Sequence, residues 1–283
     1  MIKKKIWFVT GASKGLGLTL VKELLAAGYA VAATSRTPAE LRQAVPEQNE
    51  HFLPLYMDLS SEESVRQAID ATIQTLGGLD VVVNNAGYGQ LGALEEITDH
   101  EARQNFEVNV FGLLNVLRHT TPYLRKQGSG HVLTMSSSAG FMANFPGWGI
   151  YGATKFAASG LSESYAAEVQ EFGIKVTIVY PGSFRTDFLT EGSLGLPEKP
   201  ISAYHMIHEQ TQQAQLFHGK QPGNPVKAAD VLIQVSKADH PPLHLFLGED
   251  AYHVANLKIA AVQTDMQQWH SFGTATGFAD STP

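Results

Sequence analysis

The strongest structural signal in this 283-residue chain lies in residues 6–17, which read Ile6-Trp7-Phe8-Val9-Thr10-Gly11-Ala12-Ser13-Lys14-Gly15-Leu16-Gly17. The apolar start predicts a buried strand, and the periodicity that follows from Leu16 predicts an amphipathic helix. Glycines between them let the backbone turn sharply and come close to a phosphate, while the start of a helix presents free N–H groups. A strand, a glycine turn and a helix in this order predict a dinucleotide site.

Short apolar runs alternate with helical periodicity along the rest of the chain, which is typical of an α/β fold with a parallel sheet. We expect one Rossmann-like, doubly wound domain: a seven-stranded parallel sheet in the order 3-2-1-4-5-6-7, with helices on both faces. The predicted strands are 6–10, 30–35, 51–56, 80–84, 131–136, 175–180 and 243–247, and the predicted helices are 16–27, 62–76, 101–126, 150–172 and 226–237.

Two segments depart from this rhythm. Residues 1–250 are predicted to form the dinucleotide-binding catalytic domain, but residues 184–221 within it are irregular and rich in Gly, Pro, Gln and His. Long irregular segments of this kind are typical of substrate-binding loops. Residues 251–283 are predicted to extend the same domain, with a helix over 251–269 and a mobile end over 273–283.

Composition excludes several classes of protein. With 20 Lys and Arg against 27 Asp and Glu, the net charge of −7 favours neither nucleic acid nor an anionic membrane as a partner. The absence of cysteine excludes disulfides and zinc-thiolate sites and fits a cytoplasmic location. The first apolar run stops at Thr10, too early for a signal peptide, and no membrane span is predicted. The histidines lack a completing carboxylate cluster, so no catalytic metal is predicted.

Tyr151 and Lys155 are four residues apart, so they can lie on one face of a helix. A nearby ammonium lowers the pKa of a phenol, which favours proton transfer to and from a carbonyl oxygen. A serine cluster, residues 136–138, follows a predicted strand and can supply a hydroxyl that holds the same oxygen. Together with a dinucleotide site, these residues indicate a hydride-transfer enzyme.

The whole set resembles the short-chain dehydrogenase/reductase family. The glycine segment is similar to the family motif Thr-Gly-x-x-x-Gly-x-Gly. The resemblance continues in the same order over about residues 5–190, through Asp58, Asn84-Asn85-Ala86-Gly87, Asn109, the serine cluster, Tyr151-x-x-x-Lys155 and Pro181-Gly182. It implies an NAD(P)(H)-dependent oxidoreductase that forms a homodimer or homotetramer through helices 101–126 and 150–172.

The resemblance implies four catalytic residues, Asn109, Ser138, Tyr151 and Lys155, with Asn109 holding a water that links Lys155 to solvent. The usual family spacing of 13 residues before the tyrosine selects Ser138, and a strand extending through residue 138 would place it on the same face as Ser136. Gly140 follows Ser137 by three residues, a pattern also seen in relatives, so Ser137 stays open as the alternative.

NADP(H) is the preferred cofactor, and NAD(H) is the alternative. The second strand ends at Ser35-Arg36 with no carboxylate before Glu40, and Lys14 adds a cation that favours a 2′-phosphate. The predicted cofactor-binding residues are Thr10, Gly11, Ser13, Lys14, Gly15, Leu16, Gly17, Arg36, Asp58, Leu59, Asn85, Ala86, Gly87, Tyr151, Lys155, Pro181, Gly182 and Thr186.

The predicted substrate is a small hydrophobic ketone or aldehyde, or the corresponding alcohol, because the residues expected near the nicotinamide are aromatic and uncharged. For any single one of them, ordinary core packing is the alternative. Two other functions remain open: a non-catalytic protein that senses NADP(H), and a lyase on the same scaffold. The candidate pocket residues are Tyr88, Phe141, Met142, Phe145, Trp148, Phe184, Phe188 and Met206.

Overall fold

The computed structural model describes residues 4–45 and 50–278. Its main sheet contains seven parallel strands, and two very short strands pair with each other above it. The seven strands are β1 (Ile6–Val9), β2 (Ala30–Ser35), β3 (Phe52–Tyr56), β4 (Val81–Asn84), β6 (Gly130–Met135), β7 (Ile174–Pro181) and β9 (His244–Leu247), and the short pair is β5 (Gly89–Gln90) and β8 (Leu194–Gly195).

The seven strands lie in the order β3-β2-β1-β4-β6-β7-β9, which confirms the predicted Rossmann-like order. Because neighbouring strands all run in the same direction, their carboxyl ends meet at one edge of the sheet. The helices are α1 (Gly15–Ala26), α2 (Pro38–Ala44), α3 (Glu62–Leu76), α4 (Asp99–Phe106), α5 (Gly112–Gln127), α6 (Gly149–Val169), α7 (His205–Leu216), α8 (Pro225–Val235) and α9 (Glu249–Thr274).

Alternating side chains of the strands fill two apolar cores, one on each face of the sheet. In β1, Trp7 and Val9 pack into the core that α1 and α8 cover. Phe8 points to the opposite core, which α3, α5 and α6 cover. Both faces of the strand are therefore buried, as expected for a parallel sheet between helical layers.

Before α9, the helices differ clearly from prediction in three places. The predicted helix 101–126 is divided by a π-helical turn at Glu107–Phe111 into α4 and α5. The seven-residue α2 was not predicted. Within the lid, our name for residues 184–221, the expectation of an irregular chain is wrong because it contains α7. None of the residues of α7 is buried, and its sequence is mostly polar. It therefore lacks the apolar stripe from which an amphipathic helix can be predicted.

The C-terminal helix is longer than predicted. α9 extends through Thr274, so the first residues of the segment expected to be mobile are helical, while residues 279–283 lie outside the described part. No helix within residues 4–45 and 50–278 has the length and apolar character needed to cross a membrane.

Candidate active site

Side chain–backbone hydrogen bonds and one close backbone approach lock the turn after β1 to the end of β4. Thr10 Oγ1 accepts hydrogen bonds from the N–H groups of Asn85 and Ala86, both at 3.0 Å. The Asn85 side-chain amide donates to the carbonyls of Thr10 and Gly11 at 2.9 and 3.0 Å. A Cβ at Gly11, where φ is +63°, would stand 2.6 Å from Ala86 Cα. Only glycine permits this approach, so residues 10–17 and 84–87 form one rigid unit, which we name the seat.

The seat exposes the start of α1. Lys14 is the N-cap residue of α1, but its side chain makes no capping hydrogen bond. The first turn of α1 also contains no acidic residue. Gly17 lies against Asn85, because a Cβ there would come within 2.5 Å of the Asn85 amide nitrogen. Free N–H groups and the positive end of the helix dipole thus face outward beneath Thr186, and they fit the pyrophosphate of a dinucleotide.

The two cations that were predicted to bind a 2′-phosphate, Arg36 and Lys14, differ in their contacts. Arg36 is exposed just after β2 and has no ion pair among the described residues. The nearby carboxylate of Glu40 accepts a hydrogen bond from the Thr37 hydroxyl at 2.8 Å. Lys14 points to the lid and donates to the Gly192 carbonyl at 3.1 Å. Arg36 is therefore the available cation beside β2.

The other predicted cofactor residues follow the sheet edge. Asp58 accepts hydrogen bonds from the Ser60 N–H and hydroxyl at 3.0 and 2.7 Å, and Ser61 rather than Asp58 caps α3. Leu16 packs on the core, and Ser13 is partly buried beside it. Leu59 lies against Gly112, Gly87 lies against Asn109 and Lys155, and Gly182, after Pro181, lies against the Asp250 carboxylate.

Tyr151 and Lys155 are both on α6, and each is only 6% exposed. Lys155 Nζ donates to the Met135 carbonyl at the end of β6 at 2.8 Å and lies 5.7 Å from the Tyr151 ring centroid. Burial lowers the pKa of Lys155 to about 8. Burial also raises the pKa of Tyr151 to about 12, above its usual value of 10 rather than below it as predicted.

The structure bears on the open choice between Ser138 and Ser137, which stays a prediction. β6 ends at Met135, so the strand alternation used to select Ser138 does not extend that far. Ser138 instead begins a 3-10 turn, whereas Ser137 is extended, and its side-chain hydrogen bond with Tyr151 opposes the burial-driven rise in the tyrosine pKa. Ser136 points inward and donates to the Lys155 carbonyl at 3.0 Å. Ser137 is thus the serine beside the phenol.

Asn109 lies in the π-helical turn and joins two parts of the site. Its amide nitrogen donates to the Tyr88 carbonyl and to Thr154 Oγ1, both at 3.0 Å, and its oxygen accepts from the Tyr88 N–H at 3.1 Å. The π-helical turn directs this side chain inward. Through Asn109, the segment that contains Tyr88 is therefore linked to α6. The water-holding role of Asn109 stays a prediction.

The family resemblance assigned Asn84, with residues 85–87, to the floor beneath the adenosine ribose and to bracing the sheet. Its two amide atoms are buried and have no hydrogen-bond partner within the described residues. Together with Asn109 and Lys155 it lines a cavity of about 10 Å³, the size that one water molecule needs. The sequence signal for this buried amide is an asparagine at the end of an otherwise all-valine strand.

Aromatic side chains surround the Tyr151 ring. The Trp148 ring centroid is 5.5 Å from it, and that of Phe188, which belongs to the lid, is 5.6 Å away. Other pocket candidates lie elsewhere: Phe141 packs on Tyr180 and Phe246, Phe184 packs on the core, and Met206 is exposed. The wall next to the phenol is apolar, as predicted, but it contains fewer of the predicted residues.

The lid is held down by carboxylates that the sequence did not reveal. Glu96, whose side chain is fully buried, accepts hydrogen bonds from the N–H groups of Ala93 and Ile201 at 2.8 and 2.7 Å and is 2.6 Å from His208 Nε2. Burial acts to raise the pKa of Glu96, but these hydrogen bonds outweigh it, so the pKa lies below its usual value of 4.5. Glu101 accepts from the Glu198 N–H at 3.0 Å.

The comparisons with known proteins agree with this geometry. A profile of the short chain dehydrogenase family matches residues 5–194. The oxidoreductase BOA17 of Botryotinia fuckeliana is 33% identical over 273 residues, which cover 96% of this chain and 99% of that protein. A short-chain dehydrogenase structure from Streptomyces avermitilis superposes with a TM-score of 0.89 and 36% identity, covering 96% of this chain and 100% of its own.

Another similar structure was solved as a complex with a nicotinamide cofactor derivative. The alcohol dehydrogenase of Thermococcus sibiricus, solved with 5-hydroxy-NADP, superposes with a TM-score of 0.70 and 27% identity, covering 86% of this chain and 96% of its own.

Proposed function

Because this chain belongs to the short chain dehydrogenase family, we propose that it is an NADP(H)-dependent oxidoreductase that interconverts a hydrophobic ketone or aldehyde and its alcohol. The main support is one observation: Lys155, one helical turn from Tyr151, donates to the Met135 carbonyl at the same sheet edge where the seat exposes the start of α1. A proton donor and a dinucleotide seat at one edge of a sheet are the two parts that carbonyl reduction needs.

The side chains divide the work as follows. A bound nicotinamide would supply the hydride to the carbonyl carbon in reduction, or accept it in oxidation. The Ser137 hydroxyl donates a hydrogen bond to the carbonyl oxygen and orients it toward Tyr151. The Tyr151 phenol gives its proton to that oxygen as the alcohol forms, and takes one back in the reverse reaction. Lys155, held by the Met135 carbonyl, stabilises the resulting phenolate.

Arg36 supports the preference for NADP(H). It is exposed, has no ion pair within residues 4–45 and 50–278, and follows the strand next to β1. A charge-assisted hydrogen bond to a phosphate contributes about 1.5–3 kcal/mol, so Arg36→Asp should raise the Kd for NADPH by about tenfold to a hundredfold. Arg42→Asp, on the exposed side of α2, is the matched change in net charge and should leave that Kd unchanged. Unaltered NADPH affinity in Arg36→Asp would contradict the cofactor preference.

The reaction itself is tested by Tyr151→Phe. We expect kcat for NADPH-dependent ketone reduction to fall by about 10³-fold, because general acid catalysis contributes about 10² to 10⁴-fold, while NADPH fluorescence titration shows unchanged binding. Tyr165→Phe is the control: it also lies on α6, but its hydroxyl contacts Thr121, away from the site. Retained turnover in Tyr151→Phe would remove the phenol from the mechanism. NADPH binding by the wild-type chain without turnover of any ketone would favour the sensing alternative.

The ketone screen should compare apolar with charged substrates. Trp148 and Phe188 surround the phenol, so we infer that the carbonyl is carried on an apolar group. Trp148→Ala should raise KM for hydrophobic ketones more than for small polar ones. Equal effects on both would contradict this substrate class.

A further inference from the structure

The outer part of α9 is an arm without a contact surface. From Ile259 to Thr274 every residue is exposed, which corresponds to a helix of about 24 Å at 1.5 Å per residue. The arm nevertheless carries large apolar side chains: Met266 and Trp269 are each 66% exposed. A single helix of this length is marginal in water, because helices in proteins are stabilised mainly by packing of an apolar face. The arm therefore needs a partner surface.

The apolar residues of α9 follow a coiled-coil spacing. They alternate in steps of three and four residues, which keeps them on one side of the helix. The resulting stripe continues from the base of α9, where Ala255 is buried, to the exposed arm. Its members are Tyr252, Ala255, Ile259, Val262, Met266 and Trp269.

The middle of this stripe faces a trough. Ile259 and Val262 line one wall, and Phe156 and Gly160 of α6 line the other. Tyr180 contributes to the same trough, whose volume is about 430 Å³. α9 thus stands away from α6 here, and most of the surface that lines the space between the two helices is apolar.

We propose that the arm of a second copy of this chain lies in the trough, antiparallel to α9. Two antiparallel helices related by a twofold axis interdigitate their stripes when Ile259 faces Val262 of the partner subunit. The same register places Met266 of the partner subunit against Ala255 and Trp269 of the partner subunit against Tyr252. Tyr252 already contacts Phe246 at 5.8 Å between ring centroids, so the incoming indole extends an existing aromatic cluster.

Charge complementarity supports this register. Between residues 251 and 274 the sequence has one lysine, Lys258, one aspartate, Asp265, and no arginine or glutamate. Each immediately precedes a stripe residue, which is the position where flanking charges pair across an antiparallel coiled coil. With Ile259 facing Val262 of the partner subunit, Lys258 faces Asp265 of the partner subunit, and the twofold axis repeats the pair. A membrane-binding helix would instead carry a basic polar face, which α9 lacks.

Charge reversal tests the register. Lys258→Asp and Asp265→Lys each convert both attractive pairs into repulsive ones, so each should raise the dissociation constant of the assembly by about tenfold in analytical ultracentrifugation of the full chain. The double variant K258D/D265K restores opposite charges and should recover wild-type association. Leu257→Ser changes an exposed apolar residue on the opposite side of α9 and should have no effect.

The absence of cysteine allows a direct test of proximity. The variant I259C/V262C should form an interchain disulfide on mild oxidation, seen as a covalent dimer on a non-reducing gel, whereas L257C should not. If α5 and α6 form a separate interface, the charge reversals should convert a tetramer into a dimer. The proposal fails if the reversals leave the assembly unchanged, if the cysteine pair does not cross-link, or if the wild-type chain instead binds phosphatidylcholine–phosphatidylglycerol vesicles through α9.

Discussion

The seat and the lid meet above the same edge of the sheet, but different contacts hold them. In the seat, the Gly11 turn lies so close to the Ala86 backbone that one added carbon would collide. The lid is held by the short pairing of β8 with β5 and by side chains from elsewhere, since Glu96 and Glu101 accept hydrogen bonds from its N–H groups. A backbone contact of this kind cannot loosen without unfolding, whereas a few hydrogen bonds can break and reform. We therefore expect substitutions in the seat to abolish binding and those under the lid to change access.

The largest effect should come from Gly11→Ala. The new Cβ would meet Ala86 Cα at 2.6 Å and would impose a left-handed backbone on alanine, so we expect a loss of about 3 kcal/mol in the free energy of unfolding and no measurable NADPH binding. Gly77→Ala is the control, since its φ is +81° but no atom lies within 4 Å. It should cost only about 1 kcal/mol and leave NADPH affinity intact. Urea unfolding and fluorescence titration measure both, and equal losses would refute the tight approach.

A smaller but still large effect should distinguish the two serines. Ser137→Ala removes the hydroxyl beside Tyr151, so kcat/KM should fall by about 10²-fold, the range found when one donor to a developing oxyanion is lost. Ser138→Ala should change kcat/KM by less than about threefold, because Ser138 begins a turn after the strand has ended. The reverse outcome would restore the choice made from sequence spacing.

The pH dependence should report on Lys155. Its pKa is about 8, and the charged form is the one that stabilises the phenolate, so kcat/KM for reduction should be constant below pH 8 and fall above it. The expected decline is about tenfold per pH unit. Tyr151, with a pKa of about 12, remains protonated over this range and does not contribute. A rate that stays constant to about pH 10 would show that the lysine is not needed in its charged form.

The smallest effect should come from the lid. Glu96→Gln keeps the shape of the side chain but loses the charge that its three partners contact, so KM should rise about fivefold with kcat nearly unchanged. Glu95→Gln is the control, because Glu95 is exposed and contacts only the Tyr204 hydroxyl of the lid.

The same variant allows a check by pH. Because the pKa of Glu96 is lowered in the fold, its contribution to stability is complete above the usual pKa of 4.5 and is lost as pH falls through the lower value. In the wild-type chain, limited proteolysis of the lid should therefore become faster as pH falls. In Glu96→Gln this increase should be smaller. If proteolysis of Glu96→Gln and of the control Glu95→Gln depended on pH to the same extent, the role of the buried carboxylate would be contradicted.

The seat could be predicted because its determinants are contiguous. Three glycines, a strand before them and a helix after them lie within residues 6–26, so local conformational preferences were sufficient. The pair Tyr151 and Lys155 was predictable for the same reason, since their spacing within one helix fixes their relative position. Their pKa values were not predictable, because burial depends on β6 and on the lid that cover them.

The sequence decides least where the exact end of a strand or one distant contact determines the outcome. β6 ends at Met135, so the strand alternation that favoured Ser138 does not extend to that residue. Nothing in the sequence marks Glu96 as buried, because its partners Ile201 and His208 lie more than one hundred residues away in the chain.

The individual strands, the glycine turn and the tyrosine–lysine pair thus follow from patterns within a few turns of chain, where covalent geometry and side-chain periodicity limit the possible structures. The serine that meets the phenol, the protonation of the buried pair, the closure of the lid and the exposed stripe of α9 depend on which distant residues exclude water from one another. That exclusion is a property of the folded chain as a whole, because burial and hydrogen bonding are set by neighbours in space rather than by neighbours in sequence.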